Sequence, residues 1–186
     1  MPYLLDNPLA NFRDHPILFL DFEFTGLDPR KHEIIEVAAL LVTQPDFKVV
    51  NSYYTKVLPS HIDTADLRSL AVANYSESTW TDAIPLRTML EELAAMAPNA
   101  ILAGWSVQNE WDFLNAALES ENLPYFQTHR LIEVYTLAFV KLYQNQKIIH
   151  LNLPAAARTL GVYLDQHKPD SDIRATYEIF KKLSDL

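Results

Sequence analysis

One stretch of nine residues, PILFLDFEF at positions 16–24, limits the possible folds of this chain more than any other. It is apolar and rich in aromatic residues apart from two acids, Asp21 and Glu23. A β-strand of this kind presents apolar side chains to both of its faces and needs cover on both sides. The stretch therefore predicts a strand that is buried inside a sheet.

The rest of the chain alternates between strand-like and helix-like patterns. Further strands are predicted over residues 33–43, 47–58, 100–105 and 130–133, with a turn at 44–46. A broken helix is predicted over 63–80, and continuous helices over 86–96, 108–120, 134–143, 153–160 and 171–183. Three early strands, followed by helices that alternate with short strands, indicate an α/β fold with a five-stranded mixed sheet flanked by helices on both faces.

Length and composition narrow the class of protein. Residues 1–186 are predicted to form a single domain, with residues 1–15 as an N-terminal arm. The chain has no cysteine, which excludes disulfides, thiolate metal sites and cysteine nucleophiles. Neither a signal peptide nor a membrane-spanning run is recognisable, so a cytoplasmic protein without membrane contact is expected. The net charge of −9 disfavours a broad duplex-binding surface, so a nucleic-acid partner is expected to be short or single-stranded.

The two acids of the first strand lie two positions apart, and alternate side chains of a strand share a face. Two carboxylates on one buried face are costly unless a cation lies between them. Asp21 and Glu23 are therefore candidate metal ligands. The alternative is that the strand ends near Leu20 and both carboxylates are solvated.

A third acid stands at the head of the last predicted helix. Counting back from its apolar stripe by three and four places Asp172 on the core-facing side of the first turn. Asp172 is then either a helix-start residue or a ligand that points into a site. His167 lies five residues earlier, in a loop close enough to share that site. A loop histidine is also a common surface residue, so both interpretations stay open.

A fourth acid has to be chosen between two neighbours. The stretch WSVQNEWDFLNAAL predicts a helix whose apolar stripe includes Glu110. Asp112 is about 200° further around the helix and points elsewhere. Glu110 is thus the candidate ligand, and its alternative role is that of a partly buried helix-start residue without a ligand.

Together these residues resemble the DEDDh exonucleases, the group that contains the proofreading subunit of bacterial DNA polymerase, ribonuclease T and oligoribonuclease. The first motif of that group is similar to LDFEFTGLDP, and the third is similar to HKPDSDIRATYEIFKKL, which carries His167 and Asp172. The resemblance extends in order from about Ile17 to Leu183. Several motifs in the same order are a much more specific signal than a single motif. It implies an RNase H-like fold and a single exonuclease domain.

The second motif is where this sequence departs from the group. The usual asparagine and aspartate correspond here to Ser106 and Glu110, ahead of Phe113 and Leu114. Glutamate still offers oxygen ligands for magnesium or manganese. Its extra methylene group is expected to displace a metal, lower activity or change the preferred ion.

The resemblance implies two divalent cations, Mg²⁺ or Mn²⁺, held by Asp21, Glu23, Glu110 and Asp172. His167 is implied as the general base that takes the proton of the attacking water. The implied reaction removes 5′-mononucleotides from the 3′ end of DNA or RNA, since no pattern in the chain selects a 2′-hydroxyl.

The resemblance also implies that Phe24 and Thr25 lie near the 3′ sugar and that Leu27 lies against the base. Each has a structural alternative, because Phe24 and Leu27 suit a core and Thr25 suits a turn. Relatives include dimers, so a homodimer is an open expectation. Two other functions stay open: a catalytically weakened module that binds nucleic acid or a protein partner, and a structural interaction domain with solvated acids.

Overall fold

The structure is a computed structural model that describes residues 11–166 and 168–185. In that part of the chain it forms five strands and six α-helices, with single 3-10 turns at Phe12–Asp14, Ile62–Thr64 and Glu77–Thr79. The strands are β1 (Ile17–Phe24), β2 (Ile34–Thr43), β3 (Lys48–Lys56), β4 (Ile101–Gly104) and β5 (Leu131–Glu133). The helices are α1 (Leu67–Val72), α2 (Leu86–Met96), α3 (Val107–Ser120), α4 (Val134–Leu142), α5 (Leu153–Leu160) and α6 (Pro169–Ser184).

The strands form one mixed sheet in the order β3-β2-β1-β4-β5. The pairs β1–β2 and β2–β3 are antiparallel, as expected for strands joined by short turns. The pairs β1–β4 and β4–β5 are parallel, and helices connect them. β1 lies at the centre of the sheet, where its apolar side chains are covered on both faces.

The predicted α/β class and RNase H-like mixed sheet are confirmed. Helices α2 and α5 have the predicted bounds, and Gly161 ends α5 in the left-handed conformation that glycine favours. The broken helix predicted at 63–80 is α1 between two 3-10 turns. Of the predicted N-terminal arm, residues 1–10 lie outside the described residues.

Two apolar layers cover the sheet, one on each face. Leu18, Leu20 and Phe22 of β1 pack against α2 and α3. Ile17 and Phe19 of β1 pack against α4, α5 and α6. The alternation of β1 therefore assigns each of its side chains to a defined layer. No helix in the described ranges is long and apolar enough to cross a membrane.

The carboxyl ends of the parallel strands meet at one edge of the sheet, where ligands commonly bind in α/β proteins. β1 pairs with β4 only from Ile17 to Phe19, so the last part of β1 lies beyond this ladder. Gly104 ends β4 here, and an added Cβ would lie 3.2 Å from the Leu20 carbonyl oxygen and 3.2 Å from Val107 Cβ. The missing side chain lets the start of α3 approach β1 at this edge.

Candidate active site

Asp21 and Glu23 stand in the last part of β1, on the same face of the strand. They have the parity of Ile17 and Phe19, whose side chains pack in the layer that contains α6. The prediction that they project together holds in the described structure, because the strand continues through both residues to Phe24. The alternative that the strand ends near Leu20 is therefore wrong.

Asp172 reaches the same place from the first turn of α6. The helix begins at Pro169, whose fixed φ suits a first helical position. Asp170 pairs with Arg174 at 2.9 Å, and the Ser171 hydroxyl accepts a hydrogen bond from the Asp165 N–H at 2.8 Å. The charge of Asp172 raises the pKa values of both Asp21 and Glu23, which places the three carboxyl groups close together.

Glu110 enters from the first turn of α3 and is only 7% exposed. Burial raises the pKa of Glu110 to about 8, and hydrogen bonds from the backbones of Glu110 and Phe22 offset part of this rise. Its Oε2 atom is buried without a hydrogen-bond partner in the described structure. Such an oxygen is costly unless a proton or a cation compensates it. Asp112, by contrast, is exposed and accepts a hydrogen bond from Gln108 at 2.9 Å.

The pKa values of the two acids of β1 are also raised, by burial and by the neighbouring acids. Burial raises the pKa of Asp21 well above its ordinary value, and Glu110, Asp172 and Glu23 raise it further. Burial also raises the pKa of Glu23 to about 7, with further contributions from Glu36 and Asp172. Groups with strongly raised acid pKa values mark places where negative charge is concentrated and poorly solvated.

The structure adds two acids to this cluster that the sequence did not assign to it. Glu36 faces Glu23 across the β1–β2 ladder, is buried, and accepts a short hydrogen bond from the Tyr54 hydroxyl. Glu133 ends β5, where its carboxylate accepts hydrogen bonds from the backbones of Tyr135 and Val107. Glu133 raises the pKa of Glu110, so it lies beside it.

Both additions depend on strand neighbours that are distant in sequence. The position of Glu36 could have been predicted from the sequence, because β1 and β2 are joined by a short loop and their register places Glu36 opposite Glu23. Glu133 required the strand order, since only the pairing of β4 with β5 places it opposite Gly104. The sequence pattern alone does not give that order.

The donor set suits a divalent cation. All the candidate ligands are carboxylates, which magnesium and manganese prefer, and the unpartnered Oε2 atom of Glu110 is a ready acceptor. In residues 11–166 and 168–185, no three Asp, Glu or His side chains are already arranged to hold a metal ion. The four acids thus share one region of mutual electrostatic influence.

The remaining predicted site residues occupy contrasting positions. His167 lies outside the described residues. Phe24 stacks on Phe113 with ring centroids 3.8 Å apart, which makes it part of the packing between β1 and α3. Thr25 is fully buried, and its hydroxyl accepts a hydrogen bond from the Glu33 N–H at 2.9 Å. Leu27 is 84% exposed in the turn after β1, so it is the most exposed of these three side chains.

Known proteins resemble this chain in sequence over most of its length. The profile of an exonuclease family (RNase_T) matches residues 18–180. The oligoribonuclease of Bordetella pertussis (strain Tohama I) is 32% identical over 136 residues, which cover 67% of this chain and 74% of that protein. The PolC-type DNA polymerase III of Thermotoga petrophila is 24% identical over 182 residues, which cover 95% of this chain and 12% of the polymerase.

Solved structures of Escherichia coli exonuclease I have the same fold. Its complex with a dT13 oligonucleotide superposes with a TM-score of 0.77 at 13% identity, over 91% of this chain and 41% of that one. Its zinc-bound complex with single-stranded DNA gives a TM-score of 0.74 at 12% identity, over 89% and 39%. The chain thus spans less than half of each exonuclease I chain and about an eighth of the polymerase.

Proposed function

Because this chain belongs to the exonuclease family, we propose that it hydrolyses nucleic acids one nucleotide at a time from the 3′ end, releasing 5′-mononucleotides. The substrate is a short or single-stranded end of DNA or RNA. One observation carries the proposal: Asp21, Glu23, Glu110 and Asp172 come from three distant elements and influence one another at one edge of the sheet.

We assign the four acids as ligands of two divalent cations, Mg²⁺ or Mn²⁺. Bound there, the cations supply activation of water and neutralisation of the charge that develops on the phosphate. The buried carboxylates bring the negative charge that holds them, and the layer packed behind β1 excludes bulk water. His167, five residues before Asp172, is assigned as the general base that accepts the proton of the attacking water.

Substrate contacts are assigned to the turn that follows β1. We assign Leu27 to the terminal base, because its side chain is exposed in the turn that follows β1. Phe24 and Thr25 shape this turn from within: Phe24 through its stack on Phe113, and Thr25 through hydrogen bonds to Glu33. Their proximity to the 3′ sugar stays a prediction.

The test is hydrolysis of 5′-labelled single-stranded oligonucleotides, DNA and RNA in parallel, with Mg²⁺, Mn²⁺ or a chelator. We expect a ladder that shortens from the 3′ end only with metal, with at least a hundredfold loss in Asp21→Asn. His167→Ala is expected to reduce the rate by about a hundredfold or more. Asp112→Asn is the matched control for the loss of one carboxylate, because Asp112 is exposed on α3 and bonds to Gln108. Equal activity in Asp21→Asn and the unchanged protein would contradict the proposal.

A second candidate function is a weakened exonuclease module that binds nucleic acid or a protein partner through the same cleft. The observation that favours it is the departure at the second motif: a longer, buried glutamate stands at position 110, and burial raises its pKa to about 8. A raised pKa favours the protonated form of the carboxyl group. A protonated carboxyl group is a poor metal ligand. This alternative would be established if single-stranded oligonucleotides bound to the protein but were not shortened at every pH from 7 to 9, both with Mg²⁺ and with Mn²⁺.

A further inference from the structure

An aromatic ladder runs along the outer face of α4. Tyr135, Phe139 and Tyr143 follow one another at intervals of one helical turn, with ring centroids 6.4 and 5.5 Å apart. Trp105 extends the row beyond Tyr135 at the start of α4, with ring centroids 5.9 Å apart. Phe139 is 47% exposed and Tyr143 is 69% exposed. Rings of this size are normally buried, so such a row marks an interaction surface.

The chain around this ladder has a charge opposite to that of the rest of the molecule. No aspartate or glutamate occurs between Glu133 and Asp165, whereas Lys141, Lys147 and Arg158 do. All 24 acids of the chain therefore lie outside the segment 134–164. In a protein of net charge −9, a stretch with three cations and no acid repels a polyanion less than the rest of the chain does.

The ladder starts at the candidate active site. Tyr135 lies two residues after Glu133, and Trp105 lies just before the start of α3, which carries Glu110. α4 begins directly after β5, and the exposed rings of Phe139 and Tyr143 lie one and two helical turns beyond Tyr135. A cleft of about 280 Å³ is lined by Tyr135 and Phe139 on α4 and by Tyr143 at its end, together with Ile148 and Ile149 of the loop that follows.

We propose that this ladder binds the single strand upstream of the nucleotide being removed, with bases stacked on Tyr135, Phe139 and Tyr143. This inference rests on the proposed function, because it takes the 3′ end of that strand to lie among the acids. Aromatic platforms beside cations are the common means of holding single strands without sequence preference.

A second copy of the chain fits this surface less well than a nucleic acid does. A two-fold contact would place the same patch of both subunits together. Two copies of the segment 134–164, each with three cations and no acid, would then lie side by side and repel one another. A polyanion removes this repulsion, whereas a second copy creates it.

The test is the affinity for a 5′-fluorescent single strand of about twelve nucleotides, measured by anisotropy in excess chelator so that no turnover occurs. Tyr143→Ala and Phe139→Ala are each expected to weaken binding about fivefold or more, since one stacked base is lost. Tyr143 is mostly exposed, so its replacement leaves the core intact. Tyr163→Ala is the matched control, because Tyr163 is 83% exposed in the same acid-free segment but outside the ladder.

Two changes separate stacking from charge. Abasic positions in the upstream part of the strand should reduce the affinity of the unchanged protein and abolish the difference between it and Tyr143→Ala. Lys141→Ala removes an exposed cation on the opposite side of α4 from the rings, so it should leave the response to abasic positions intact.

Three results would contradict the proposal that the ladder binds the strand. The first is an equal loss of affinity in Tyr163→Ala and Tyr143→Ala, and the second is an affinity that abasic positions do not change. The third is dissociation of a dimer by Phe139→Ala with unchanged oligonucleotide affinity. The last result would assign the surface to a second copy. Binding is measured without hydrolysis, so it is independent of catalysis. Ladder-dependent binding without hydrolysis contradicts the exonuclease activity alone, and hydrolysis with ladder-independent binding contradicts the ladder alone.

Discussion

At the scale of single residues, the distinctive feature of the site is the side chain at position 110. Glu110 is one methylene group longer than the aspartate that the resemblance leads one to expect, and it is almost fully buried. Burial and the charges of Glu133 and Glu23 raise its pKa, while two backbone hydrogen bonds lower it. The net result is an acid that releases its proton only in mildly alkaline solution unless a cation displaces it.

Shortening this side chain tests whether its length limits activity. We expect Glu110→Asp to raise the turnover number by about threefold to tenfold and to lower the metal concentration that gives half-maximal rate. The physical reason is that aspartate removes the extra methylene group, which is expected to displace a metal from its position among the acids. The measurement is the rate as a function of Mg²⁺ and Mn²⁺ concentration at pH 7 and pH 8.5.

The control for this change is Glu110→Gln, which keeps the length and removes the charge. It should lower the rate at every metal concentration. If Glu110→Asp also lowered the rate at both pH values, the longer side chain would be the functional one in this protein.

A second residue-scale prediction concerns the hydrogen bond that holds Glu36. Tyr54→Phe leaves a buried carboxyl group without its hydroxyl donor, so we expect the free energy of unfolding to fall by about 1–3 kcal/mol. Tyr53→Phe is the matched change, because the Tyr53 hydroxyl donates to Glu92 at 2.6 Å on the solvent side of helix α2. Urea denaturation of both variants at pH 7 gives the comparison, and equal losses would contradict a special role for the Glu36 contact.

At the scale of elements, the close approach of β4 and α3 determines where Glu110 lies. Gly104→Ala places a methyl group 3.2 Å from the backbone oxygen of Leu20, an atom of the central strand that has little freedom to move. We expect a loss of about 1–3 kcal/mol in the free energy of unfolding, together with reduced exonuclease activity because α3 shifts outward. Thermal unfolding and the hydrolysis assay, done on the same samples, measure the two effects.

Gly161→Ala is the companion variant at the end of α5. An added Cβ there meets no atom within 4 Å, but the φ of 64° is unfavourable for alanine. We expect Gly161→Ala to lower the free energy of unfolding by about 1 kcal/mol and to leave the hydrolysis rate of the folded protein unchanged. An unchanged activity in Gly104→Ala would show that α3 keeps its place without the glycine.

The elements differ in how far the sequence determines them. Apolar periodicity located β1, α2 and α5 well because each buries a continuous face. The same periodicity selected Glu110 over Asp112, since a helix of known phase fixes which side chain faces inward. The places of Glu36 and Glu133 depended on strand register and strand order, which are set by contacts between distant segments. The role of His167 stays a prediction from the resemblance.

At the scale of the whole molecule, charge is distributed unevenly. Six carboxyl groups gather at one edge of the sheet, whereas residues 134–164 carry no acid. The acids at the edge repel one another, and their burial amplifies this repulsion. The free energy of unfolding therefore depends on whether protons or cations compensate them.

The raised pKa values fix the direction of this dependence. An acid whose pKa is higher in the folded than in the unfolded protein contributes stability below its ordinary pKa, and this contribution is lost as the pH rises through the folded value. For Glu23 and Glu110 the ordinary value is 4.5 and the folded values are about 7 and about 8. Without divalent cations, the protein should thus lose stability as the pH rises from about 5 to about 8.5.

Divalent cations should reverse this loss, and only where the acids have released their protons. We expect Mg²⁺ or Mn²⁺ to raise the free energy of unfolding by about 1–3 kcal/mol at pH 8 and by little at pH 5.5, because protons already compensate the carboxyl groups there. Thermal unfolding at the two pH values, with metal, with chelator, and with sodium chloride of equal ionic strength, separates specific binding from screening. Glu110→Gln should flatten the pH dependence and weaken the metal effect, whereas Asp112→Asn should change neither. A metal effect of equal size at both pH values would place the cations away from these buried acids, and the assignment of the site would fail with it.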